Sequence, residues 1–212
     1  MAAFSTIYPM VAPEVMGCPG IIMDSAILRA AIEFCEKSTA WRQALPPLAL
    51  VDGVAEYPLV LPDDSRLVVI REREVKLGDI PLYPIGDPAL LYSQSGTPTR
   101  YAQRGFNSLI LWPTPSGVSG RTVTVFAVLA PKLSATSIPD VVADRYYEAV
   151  AEGAKAILKR MPNQPWGDPG RAADHHQAFS IKTAEARIEQ ESGLVAGSLT
   201  ARPRRFGYSP FR

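Results

Sequence analysis

The sequence predicts an α+β protein: an α-helical bundle of three main helices, an inserted antiparallel β-sandwich-like domain and an extended C-terminal arm. Three observations lead there. Proline makes up 20 of 212 residues, about twice the usual share of roughly 5%. Yet none falls within 24–42, 140–161 or 170–192, and a proline inside a helix removes a hydrogen bond and clashes with the preceding turn. Those proline-free stretches repeat apolar residues at helical spacing, while the region between the first two is cut into short segments rich in β-branched and aromatic residues.

The divisions that follow are 1–45 for the N-terminal segment and first helix, 46–132 for the β-domain, 133–192 for the second and third helices, and 193–212 for the arm. In the first helix Ile27, Leu28, Ala31, Phe34 and Cys35 share a face, opposite Arg29, Glu33, Glu36 and Lys37. Asp24 or Ser25 is a candidate cap, with a start just after Pro19 as the alternative. Strands are predicted at Val54–Leu61, Arg66–Val75, Thr97–Arg104, Phe106–Trp112 and Arg121–Leu129, with Arg71-Glu72-Arg73-Glu74 as a charged edge or solvent face.

In the second helix Val142, Tyr146, Ala149, Gly153, Ile157 and Met161 mark one face, with Pro139 in the first turn and Pro162 as the stop. Asp168-Pro169 opens the third as an N-cap followed by proline, and Gly193 fits its C′ position. The arm holds Arg202, Arg204, Arg205 and Arg212 with Phe206, Tyr208 and Phe211, and no acid. Its arginines suit acidic groups and its rigid aromatics suit pockets, so it reads as a docking strap. A solvated tail and a nucleic-acid contact are the other readings of the same residues.

Charge narrows the function. The 22 Lys and Arg against 21 Asp and Glu leave a net charge of +1, whereas a dedicated nucleic-acid binder draws its affinity from a basic excess. No apolar run approaches the roughly 20 residues that cross a bilayer. With no Lys or Arg before Asp24 to make the positive start of a secretory signal, the chain reads as soluble and made in a cytoplasm.

Catalytic chemistry finds little support. His175 and His176 are adjacent on a predicted helix, pointing about 100° apart, and read as surface or interface residues. Asp174-His175 has no evident nucleophile. Cys35 reads as a small hydrophobe, and Cys18 as a free thiol in a Gly17–Gly20 turn. Asp63-Asp64 has the composition of a turn, and Gly117–Gly120 lacks the Lys-Ser/Thr of a phosphate loop. No catalytic, cofactor or metal site is expected, and the chain is read as a non-enzyme.

A set of motifs in order carries a resemblance. Ala31-x2-Phe34-Cys35-x2-Ser38-x2-Trp41-Arg42 resembles the opening helix of tailed-bacteriophage head-to-tail connector proteins, the adaptors that extend the portal. Tyr57 to Pro62, Leu109-Ile110-Leu111-Trp112-Pro113-Thr114-Pro115, Asp144-x-Tyr146 to Gly153-Ala154, and Pro165-Trp166 are similar to later elements of that family. The resemblance implies a structural virion protein of the neck that forms a ring, twelve-fold in expectation, with the portal as one partner. A stopper, nozzle or tail tube would be the next, with double-stranded DNA passing through the lumen ungripped, and neither cofactor nor membrane is involved. In such connectors the C-terminal segment embraces the portal, which would give the arm its role. The alternative is a module that binds nucleic acid or a host factor through the arm.

Overall fold

The computed structural model of the protein describes residues 1–86 and 94–192. The arm, with Arg202, Arg204, Arg205, Phe206, Tyr208, Phe211 and Arg212, lies outside them, as does Gly193. The architecture is mixed α+β, with three long helices packed together and small sheets inserted between the first and the rest.

A two-residue strand, β1 (Ala2–Ala3), is followed by a 3-10 turn, the short helix α1 (Tyr8–Val11) and a second 3-10 turn at Ala12–Glu14. The first long helix, α2 (Gly20–Ser38), starts directly after Pro19. Asp24 and Ser25 therefore lie inside it and cap nothing. Asp24 instead accepts the Tyr8 hydroxyl at 2.6 Å, which raises that phenol to about 12, chiefly through the hydrogen bond. The helix ends at Ser38, short of the predicted Arg42. Ser38 Oγ donates to the Phe34 carbonyl and accepts from the Ala40 amide, and Thr39 takes the left-handed conformation at φ 56°. That diverts Trp41 into the core.

The β-region continues with β2 (Arg42–Ala44), β3 (Leu48–Ala49), β4 (Glu56–Pro58), β5 (Ser65–Val69), β6 (Val75–Leu77), β7 (Ile80–Pro81), β8 (Tyr83–Pro84) and β9 (Ser95–Gly96). It closes with β10 (Arg100–Arg104), β11 (Ser108–Trp112), β12 (Thr114–Pro115), β13 (Thr122–Pro131) and β14 (Ser137–Ile138). The ten-residue β13 is the organiser. Val123 pairs with both Leu48 and Leu77, and Val128 with both Arg42 and Val69. With both edges filled, β13 is buried enough to read as an almost continuous apolar run.

One expectation is corrected here. Arg66–Val75 is two strands, not one: Arg71–Glu74 forms a turn closed by Glu74 N–H to Arg71 O, with Arg73 at φ 67°. Its charges tie the turn down, since Arg71 donates to Thr39 Oγ1 and Glu74 pairs with Arg42. The pairings are antiparallel as predicted, apart from two short parallel ones. The set β4-β11-β10-β8 ends in a parallel β8–β10 pairing, and β9–β12 is parallel too. Prolines in β8 and β12 hold those ladders to two residues.

The second predicted helix is split at Tyr146 (φ −120°, ψ 19°) into α3 (Asp140–Arg145) and α4 (Tyr147–Lys159), and Pro139 caps α3 from outside rather than sitting in its first turn. The tyrosine ring packs 5.1 Å from Phe34 and its hydroxyl donates to Glu189, so it bridges two helices. The last helix, α5 (Pro169–Ser192), begins as predicted: Asp168 Oδ1 accepts the Arg171 amide at 3.1 Å, with Pro169 at the first helical position. The core runs continuously from α2, α4 and α5 into the sheet around β13.

Candidate interaction surfaces

The described chain ends at Ser192, and α5 is well anchored just before that point. Glu189 accepts the Tyr146 hydroxyl at 2.8 Å and pairs with Arg145, Gln190 Nε2 donates to the Tyr146 oxygen, and Arg187 pairs with Glu191. A groove beside these contacts is lined by Tyr147, Glu148, Lys182, Ile188, Glu189 and Ser192.

At the other end of α5 a charged junction ties three elements together. His175 Nδ1 lies 2.6 Å from Glu152 and Nε2 lies 2.9 Å from Glu14. Lys155 donates to both carboxylates, at 2.6 and 3.0 Å, and Lys159 donates to the Glu14 backbone carbonyl. Burial alone would raise both carboxyls, but hydrogen bonds and charge from Lys155 and His175 outweigh it and hold both below the usual carboxylate value. Burial would lower the Lys155 ammonium, and its bonds to Glu152 and Glu14 reverse that, leaving it raised. His175 is therefore part of an internal tie, whereas His176 is exposed. Periodicity on α5 alone could not reveal this, because Glu14 is distant in sequence.

The remaining candidates take structural roles. Cys35 is fully buried, and burial pushes its thiol up to about 12, as suits a small hydrophobe. Cys18 is half-buried, with its thiol also raised by burial. Asp63 and Asp64 form a turn that Ser65 closes onto the Pro62 carbonyl. The Gly117–Gly120 loop gives its Gly117 and Val118 amides to the Asp52 carboxylate, both at 3.1 Å. An acid thus occupies the donors that a phosphate would need.

Between β10 and β11 the turn is fastened by Ser108 Oγ to Arg104 O and by Leu59 N–H to Asn107 O. It nevertheless leaves Phe106 83% exposed.

Among the described residues no helix is long and apolar enough to cross a membrane. No curated protein gives a match to this chain. A family model described as SU10 adaptor protein matches residues 13–204.

Proposed function

Because the chain belongs to the SU10 adaptor protein family, the phage adaptors that join head to tail, we propose that it forms a homo-oligomeric ring under the portal. The ring docks on the portal, lengthens the DNA channel and offers the tail its attachment site. The observation that carries this reading is a family match spanning nearly the whole chain. It is supported by the helix–sheet–helix order and by the use of Cys35, His175 and Asp52 in packing and internal ties.

In this reading the protein is a non-enzymatic part of the virion neck. Residues 1–45 and 133–192 form the bundle, 46–132 the β-domain, and 193–212 the portal strap through Arg202, Arg204, Arg205, Phe206, Tyr208, Phe211 and Arg212. A net charge of +1 suits a channel wall past which DNA must slide, since a strongly cationic lumen would hold the phosphates.

Electron microscopy of purified neck complexes tests the proposal. The expected result is a ring of this chain, twelve-fold, directly beneath the portal; its absence there would sink the reading. The arm's composition also favours a second reading, a module that binds nucleic acid. A gel-shift series across salt concentrations separates the two. A steep salt dependence that weakens when Arg202, Arg204 and Arg205 become Ala would favour the second.

A further inference from the structure

The helix α5 is apolar on two sides. Ala172, Phe179, Thr183 and Ala186 face the core. Ile181 and Ile188, seven residues apart on the other side, are 51% and 65% exposed. Asp174 continues the same seven-residue spacing, and Glu185 lies one turn beyond Ile181. Both acids are exposed, and neither forms an ion pair among the described residues. A surface helix buries one apolar stripe; the two isoleucines repeating on the opposite face are apolar area that a second copy would cover.

Exposed apolar residues on and beside α2 are accompanied by cations instead of acids. Ile21 is 79% exposed, and Arg29, two turns on, is exposed as well. The turn at 132–135 docks Ala135 against Leu28 and Ile32. That leaves Leu133 79% exposed with Lys132 exposed beside it. Neither Arg29 nor Lys132 forms an ion pair among the described residues.

We propose that the face of α5 bearing Asp174, Ile181, Glu185 and Ile188 seats across the exposed Ile21 and Arg29 of α2 and the Lys132–Leu133 turn of a second copy. The inference rests on the ring reading above and names the surfaces that build it. The two patches differ, so the contact is heterologous and passes from copy to copy, as a ring requires. The isoleucines and Leu133 supply apolar area, and two carboxylates meet two cations at its margin. The same charges oppose the competing symmetric contact, in which α5 would face α5 and acids would meet acids.

Disulfide trapping tests the pairing. Chains carrying Ile181→Cys and chains carrying Ile21→Cys, both with Cys18→Ser, are mixed and oxidised; Cys35 is buried. The expected product links position 181 to position 21. A dominant 181–181 product, or no cross-link at all, would overturn the proposal. In sedimentation, Asp174→Lys with Glu185→Lys should weaken self-association by about tenfold or more while the melting of the monomer is unchanged. Adding Arg29→Glu and Lys132→Glu to the same chain should restore association. Association indifferent to these reversals would also overturn the contact.

The ring and the contact fail separately. Neck rings that persist with the charge-reversed chain would remove this contact and leave the ring. A 181–21 disulfide in a chain that forms no ring under the portal would do the opposite.

Discussion

Gly153 on α4 lies so close to Phe179 on α5 that an added Cβ would stand 2.9 Å from its ring, and 2.9 Å from the Cβ of Ala30 on α2. Three helices converge on that one missing side chain. Gly153→Ala should therefore destabilise the fold. The helical preference for alanine returns up to about 1 kcal/mol, against roughly 1–3 kcal/mol for overpacking. Thermal melting should show a lower midpoint; an unchanged or raised one would mean that the crossing is looser than its geometry.

Stability should fall in acid through the Glu14–Glu152–Lys155–His175 junction. Both carboxyls are held below their ordinary value, so their contribution is present above the unfolded value near pH 4.3 and is lost as pH falls through the folded value. The raised ammonium of Lys155 contributes below its unfolded value near pH 10.4 and loses that contribution as pH rises through its folded value. Melting curves from pH 7 to pH 3 should converge for the wild type and Glu152→Gln. Curves that stay parallel down to pH 3 would count against the junction.

Removing the Lys155 ammonium leaves Glu14 and Glu152 facing each other across His175. Lys155→Met should cost on the order of 2–3 kcal/mol at neutral pH, because the loss of one partner from a buried ionic cluster leaves charge uncompensated. Urea denaturation measures this. A loss under about 0.5 kcal/mol would mean that the junction behaves like a surface pair.

The two cysteines should separate in thiol labelling. Cys18 is half-buried while Cys35 is enclosed, its thiol pushed up to about 12. An alkylating reagent at pH 8 should modify Cys18 in the native protein and Cys35 only after denaturation. Equal native labelling of both would contradict the packing of α2.

Ending the chain after Gly193 should leave the melting of the bundle unchanged and impair attachment to the portal. Co-sedimentation of the truncated and full-length chains with portal complexes decides it. Full attachment without the arm would overturn its assignment as a strap.

The third helix was legible because Asp168-Pro169 is a local signal whose geometry needs no distant partner. The Arg71–Glu74 turn was not, since alternating charge imitates a strand and nothing local announces the positive φ of Arg73. The break at Tyr146 follows from Phe34 and Glu189, which only the packed bundle brings to that ring. Strands β2 and β3 were missed for a similar reason, as their partners lie in β13. Among site residues, Cys35 was legible from helical spacing, while the tie between His175 and Glu14 had no trace in either segment. Ile181 and Ile188 were visible as letters, but their exposure depends on which side of α5 meets α4.

The central place of β13 also sets an order of events. Strands β2, β3 and β5 leave the ribosome with no strand to join, and β6 with only the two-residue β7, because the strand that pairs with all four ends at Pro131. Until then the nascent chain presents open edges, and its sheet closes late through contacts that are far apart in sequence. Such topologies fold slowly. Each chain therefore completes its sheet only after β13 has been made, when most of the sequence is already synthesised.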